Sequence, residues 1–165
     1  MESIPVFRPA RRDDLANVIA LYEGAKKEPF SVWNEEYPTA VDATHDLETD
    51  NLYVLEEDGR VIGTLSVCPE NEMDGFAHLF THNAPGVREI ARIAVAADRH
   101  GRGYAALMVA RICEILAARG VPALRISVAK GNLPARRTYP RVGFSEAGEA
   151  QMYGGDYVLM EKDLR

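Results

Sequence analysis

The chain has 165 residues and a formal net charge of −6, with 47% apolar and 27% charged residues. That length suits one domain, residues 1–165, able to bury a core without staples, and the ordinary composition places it among soluble globular chains. The acidic balance argues against a nucleic-acid partner, which would need a net basic face to neutralise phosphates. The opening "MESIPVFRPARRDD" lacks the apolar core of a signal peptide, and no apolar run approaches a membrane span. Cys68 and Cys113 each sit among apolar neighbours and read as reduced core thiols. The expected location is the cytoplasm.

In chain order, residues 4–8 ("IPVFR") read as a first strand closed by Pro9. A helical stripe of Leu15, Val18, Ile19 and Tyr22 follows, with Asp13 and Asp14 in its first turn. Residues 28–49, with Trp33, Tyr37 and Pro38, suggest a loop and a short helix. "NLYVLEEDGRVIGTLSV" is two strand patterns joined at Asp58-Gly59, a strong hairpin signal. Residues 68–88 have no clear period. "EIARIAV", residues 89–95, is a strand by its β-branched content. A helix is expected from about Tyr104 to Arg119, stopped by Gly120 with Pro122 beyond.

Residues 123–129 ("ALRISVA") form the next strand, so that strand, helix and strand make a right-handed crossover between parallel neighbours. A short helix near residues 134–142 and a closing hairpin about Gly154-Gly155 complete the chain. The expected fold class is α/β (α+β by some schemes), one domain with a mixed sheet.

Between strand and helix lies "DRHGRGYA". A helix start offers unpaired N–H groups and about half a positive charge, which suits an anion. Gly101 and Gly103 let the backbone approach that anion closely, and His100 and Arg102 add charge at the rim. A diphosphate is the natural occupant. A P-loop would need Gly-Lys-Ser/Thr where this chain has Gly103-Tyr104-Ala105. Gly101, Gly103 and Ala106 match a dinucleotide fingerprint, but residues 96–100 intervene after the strand and no acid ends the next one.

"HGRGYA" resembles the Gln/Arg-x-x-Gly-x-Gly/Ala pyrophosphate loop of the GNAT superfamily of N-acetyltransferases, with His100 in place of Gln or Arg. "NLPARRTYPRVGF" is similar to that family's Asn-x-x-Ala-x-x-x-Tyr-x-x-x-Gly-Phe pattern, with Asn132, Ala135, Tyr139, Gly143 and Phe144 in place. The order of elements agrees over nearly the whole chain.

The resemblance implies a GNAT fold, a mixed sheet of about 6–7 strands flanked by about four helices. It implies direct transfer of an acetyl group from acetyl-CoA to an amine acceptor, without a covalent enzyme intermediate. No metal is expected, because His78 and His82 have ligand-like spacing but no evident third ligand. The parallel strands ending at Val95 and near Val128 would splay to admit the pantetheine arm. The backbones of Ile93, Ala94 and Val95 would line that arm. The loop His100, Gly101, Arg102, Gly103, Tyr104 and Ala105 would take the pyrophosphate. Arg136 or Arg137 would reach the adenosine phosphate, and Asn132 would order the neighbouring loop.

Tyr139 is the candidate general acid toward the departing thiolate, since a phenol near pKa 10 can donate as charge develops on a thiol of pKa about 8.5. Glu89 is the first candidate for the base, because "EIARIAV" resembles the strand of the histone-acetylating branch. Strict alternation puts Glu89 on the face of Ile93 and Val95 if no bulge intervenes. Glu72, Asp74, His78 and His82 are weaker candidates. Arg92 projects to the opposite face and could pair with an acid inside the fold. The alternative function is a GNAT-fold module that binds acyl-CoA as a sensor or partner. The acceptor is not specified, nor is a homodimer, although dimers are common in the family.

Overall fold

A computed structural model describes residues 3–68 and 72–165. Among the described residues, seven strands hydrogen-bond in the order β1-β2-β3-β4-β5-β7-β6, and four helices of nine residues or more accompany them. The chain divides into two compact units, one comprising residues up to Val67 with Arg92–Met108, the other Cys68–Ala91 with Val109–Arg165. The division falls inside β4 (Arg88–Val95) and inside α3 (Tyr104–Ala118).

In the first unit, β1 (Val6–Pro9) runs antiparallel to β2 (Leu52–Glu57), which pairs with β3 (Arg60–Cys68). The strand starts two residues later than the sequence suggests, leaving Ile4 exposed, and it ends on Pro9, which an edge strand tolerates. Asp58 and Gly59 both take left-handed φ, 52° and 77°, as a two-residue hairpin requires. The helices α1 (Leu15–Ala25) and α2 (Ala40–Glu48) bury Val18, Leu21, Tyr22 and Ala43. Thr39 caps α2, accepting from Val41 N–H, while Asp42 accepts from Thr39 N–H at 2.8 Å. Arg8 binds Asp14 through both terminal nitrogens (2.7 and 3.0 Å) and Glu56 through Nε, so β1 is tied to β2 and to the start of α1.

In the second unit, the first half of β4 pairs with β5 (Ala123–Ala129) in parallel, Arg88 opposite Leu124 and Glu89 opposite Arg125. β5 also pairs with β7 (Gly155–Asp163), which pairs with β6 (Ser145–Met152), both antiparallel. Being flanked on both edges makes β5 a buried centre, and Leu124, Ile126 and Val128 are all enclosed. Residues 74–79 form a 3-10 turn whose Phe76 and Leu79 pack with Met73, Phe80 and Leu159. The closing turn lies at Tyr153 and Gly154, one residue earlier than expected, because those two residues take the left-handed φ values of 51° and 78°.

The helix α4 (Leu133–Arg141) contains Pro140. Its missing N–H removes one bond near the C-terminus only, where the helix is about to end. The end is closed by Phe144 N–H donating to the Tyr139 carbonyl at 3.1 Å across Gly143, whose φ is +96°.

Candidate active site

In the first unit, the loop between β4 and α3 is held from below by the β2–β3 hairpin. Arg60 forks onto Asp98 (2.8 and 2.9 Å), Arg99 Nε binds Glu57 at 2.9 Å, and the Tyr104 hydroxyl donates to the same Glu57 carboxylate. Those two donors, Tyr104 first, hold the Glu57 carboxyl below its ordinary range. Asp98 and Glu57 thus neutralise Arg99. Arg102 is exposed and makes no hydrogen bond or ion pair among the described residues.

Gly101 and Gly103 are exposed, with φ of +75° and +80°, and a Cβ built at either would meet nothing within 4 Å. Left-handed backbone favours glycine, and the open space leaves room for a ligand to approach the main chain. The first bond of α3 runs from Leu107 N–H to the Gly103 carbonyl, 3.0 Å, so the N–H groups of Tyr104, Ala105 and Ala106 precede it. A polarised set of donors, an unpaired guanidinium and uncovered glycines together fit a diphosphate.

His100 is engaged, not free at the rim. Its Nε2 lies 2.8 Å from the Val95 carbonyl, which can only accept, so Nε2 carries the hydrogen. Its Nδ1 lies 3.4 Å from Glu28 Oε1. The residue that departs from the family pattern therefore ties the loop back to the end of β4.

Arg92 takes φ +49° inside β4. A left-handed residue in a strand is the signature of a bulge, and it breaks the alternation between Glu89 and Ile93. The common face expected for Glu89, Ile93 and Val95 holds only for a strand without a bulge, and Arg92 interrupts this one. Arg92 does find an acid inside the fold: Nε and Nη2 both lie 2.9 Å from the two oxygens of Asp46 on α2, and Nη1 lies 3.0 Å from the Tyr37 hydroxyl. The Ser66 hydroxyl donates to the same Asp46 at 2.7 Å.

In the second unit, Glu89 is 4% exposed, and its Oε2 accepts from Met73 N–H at 3.0 Å. Burial pushes its carboxyl up to about 7; the Met73 N–H opposes the rise, the Glu72 carboxylate adds to it and Arg125 opposes it. Arg125 is itself buried, with its guanidinium 4.3 Å from the Phe80 ring centre. It bonds Asp74, Asn83 and the His82 carbonyl, which pins residues 74–83. Glu161, also buried, accepts from the N–H groups of Thr81 and His82. Among the earlier alternatives to Glu89, Asp74 serves Arg125, and Glu72 meets the Tyr153 hydroxyl.

Tyr139 is buried on α4 beside Phe144, ring centres 6.1 Å apart, and burial raises its phenol above the ordinary value. Its hydroxyl makes no hydrogen bond among the described residues. Asn132 caps α4, its side-chain oxygen accepting from Ala135 N–H at 3.2 Å. Arg136 is occupied by the Lys130 carbonyl (3.1 Å) and Glu146 (3.6 Å), whereas Arg137 is exposed with no such partner among the described residues. Arg137 is the freer of the two cations.

The sequence reading missed Asp46 and Arg125. A charged residue in the middle of "ALRISVA", a strand with neighbours on both sides, was the available signal for Arg125. Asp46 follows Ala43 by three residues, on the buried stripe of α2, where an acid needs a partner.

A mixed seven-stranded sheet with one parallel pair and a glycine-opened helix start suited to an anion place the chain in the α/β class. The chain belongs to the acetyltransferase (GNAT) family, whose sequence model matches residues 18–144. It is similar in fold to a GNAT-family acetyltransferase from Streptococcus agalactiae, at 18% identity over 96% of this chain and 95% of that one, TM-score 0.83. A ribosomal-protein-alanine N-acetyltransferase from Brucella melitensis is 25% identical over 96% and 99% of the two chains, TM-score 0.76. The yncA protein of Salmonella typhimurium, solved with its cofactor acetyl-CoA, is 20% identical over 99% and 95%, TM-score 0.78. No curated protein matches the chain. No helix among the described residues is long and apolar enough to cross a membrane.

Proposed function

We propose that this chain transfers an acetyl group from acetyl-CoA to a primary amine of a small molecule or protein. The observation that carries the reading is the start of α3, where left-handed Gly101 and Gly103 lie uncovered beside an unpaired Arg102. His100 to Ala105 would hold the diphosphate, the main chain of Ile93, Ala94 and Val95 the pantetheine arm, and Arg137 or Arg136 the adenosine phosphate. Asn132 acts by ordering the start of α4.

Bound acetyl-CoA supplies an acetyl group activated as a thioester. The amine must arrive neutral: for a lysine of pKa about 10.4 only about 10⁻³ to 10⁻⁴ is neutral at pH 7, and for an α-amino group about a tenth. Glu89, with a carboxyl near 7, is suited to accept the proton the amine loses. Tyr139, kept protonated by burial, is suited to give one to the departing sulfur. Neither Cys68 nor Cys113 is in a disulfide among the described residues, which supports a cytoplasmic setting.

The test is thiol release from acetyl-CoA with a panel of polyamines, aminoglycosides, amino acids and an alanine-terminated peptide, the last because of the Brucella melitensis relative. Release with any amine supports catalysis. Micromolar acetyl-CoA binding without turnover across the panel would favour the alternative, an acyl-CoA-binding sensor.

A further inference from the structure

We infer that Asp46 and Arg92 form a clamp that sets the bulge of β4 and so positions the main chain of Ile93, Ala94 and Val95 for the acyl-CoA arm. The inference rests on the acetyl-CoA reading above. Asp46, Ser66, Tyr37 and Arg92 all lie in the first unit.

Arginine has a Cβ, and a left-handed φ of +49° is unfavourable for it by the same steric argument that makes right-handed helices the default. Such a conformation persists only where its surroundings over-determine it. Here they do. The guanidinium is only 11% exposed and makes two parallel bonds of 2.9 Å to Asp46, whose side chain is 4% exposed. The Ser66 hydroxyl fixes the carboxylate from β3 at 2.7 Å, and the Tyr37 hydroxyl holds the far guanidinium nitrogen at 3.0 Å. Bidentate geometry makes the pair directional, so it fixes where the Arg92 side chain points and with it the backbone that carries the side chain.

The consequence falls on the next three residues. Ile93, Ala94 and Val95 follow the bulge directly, and the strand end is tied a second time by His100 on the Val95 carbonyl and by Ala96 N–H on the Ile62 carbonyl at 2.8 Å. The main chain between residue 92 and residue 96 is thus held at both ends. Asp46 acts through Arg92, and Arg92 through its own backbone, which makes both positioning residues with no part in bond making. α2, which carries Asp46, has its Ala43 and Asp46 buried, so it offers a rigid anchor.

The test must separate the backbone conformation from the buried charge, because removing Arg92 alone would strand the Asp46 carboxylate and destabilise the fold. Two double variants do this: Asp46→Asn with Arg92→Gly, and Asp46→Asn with Arg92→Ala. Both neutralise the pair and differ only in whether residue 92 tolerates a left-handed φ. Calorimetric titration with acetyl-CoA should give the glycine variant a Kd within about threefold of wild type, and the alanine variant a Kd at least about tenfold weaker. Amide exchange of residues 93–95 in the ligand-free protein should rise more in the alanine variant.

Equal weakening in both variants would overturn the inference, because the guanidinium itself and not the bulge would then matter. Wild-type affinity in the alanine variant would overturn it as well. Tyr37→Phe, at an exposed position that leaves the core intact, gives a reading even if the double variants fail to fold: a Kd about two- to fivefold weaker supports the clamp, and an unchanged Kd counts against it. Wild-type protein that fails to bind acetyl-CoA sinks the functional reading and this inference together, whereas tight wild-type binding with an indifferent alanine variant sinks this inference alone.

Discussion

The backbone N–H of Met73 donates to the Glu89 carboxylate at 3.0 Å, in a place from which solvent is nearly excluded. One neutral donor does not offset the loss of water around a carboxylate, so the carboxyl titrates near 7. A base accepts a proton only when ionised. The rate per enzyme at low substrate, kcat/KM, should therefore show an inflection near pH 7 from the base, and above it should keep rising only with the neutral fraction of the amine, up to the amine's own pKa. Glu89→Gln keeps an acceptor for Met73 but cannot ionise. It should lower kcat by about 10²- to 10⁴-fold and remove the inflection. A rate profile with the same inflection in wild type and Glu89→Gln would assign the base elsewhere.

The same carboxyl makes a stability prediction of definite sign. Its folded value, about 7, lies above the ordinary 4.5, so between those two pH values the folded chain binds more protons than the unfolded chain. Stability then falls as pH rises through that window, and the part of it owed to protonated Glu89 is fully present only below it. Glu89→Gln, neutral throughout, should melt above wild type at pH 8, and the difference should shrink as the pH approaches 5. A difference that stays the same at the two pH values would show that the folded carboxyl ionises where the unfolded one does, so that burial does not raise it.

Tyr139→Phe should separate chemistry from folding. The hydroxyl has no hydrogen bond among the described residues, so its removal leaves no partner stranded, and the ring contact with Phe144 persists. The melting temperature should stay within a few degrees of wild type. Acetyl-CoA affinity should be unchanged and kcat should drop by about 10²-fold or more, the usual contribution of a positioned acid. A fall in affinity with kcat intact would instead make the tyrosine part of the binding wall.

The regular elements were legible because their signals are local. Asp58-Gly59 announced its hairpin, Gly120 its helix stop, and "ALRISVA" its strand to the residue. The loop at Gly101 and Gly103 was legible for the same reason, since left-handed turns leave glycine in the sequence. What stayed hidden depends on partners far apart in the chain. The bulge at Arg92 has no glycine to mark it, because Asp46, 46 residues earlier, stabilises the left-handed conformation. Arg136 is likewise engaged by the Lys130 carbonyl and Glu146, which leaves Arg137 the freer cation in a way no helical pattern reports.

His100 stands where the family pattern has Gln or Arg, and its structural task predicts which replacements will be tolerated. The ring donates from Nε2 to the Val95 carbonyl at 2.8 Å, closing the β4 end onto the loop, while Nδ1 faces Glu28 at 3.4 Å. Any side chain able to reach back with an N–H can keep the first contact, and a glutamine amide can. His100→Gln should therefore hold acetyl-CoA within about threefold of wild type. His100→Ala loses the donor and leaves the Val95 carbonyl to water. One net hydrogen bond is worth about 1 kcal/mol, which corresponds to a roughly fivefold to tenfold loss of affinity. The titrations should be run on both variants at the same salt, since any contact with a charged ligand is screened. Alanine binding as tightly as glutamine would mean that the strand end keeps its place without the tether. Glutamine binding as weakly as alanine would mean that the imidazole contributes through its second nitrogen and Glu28.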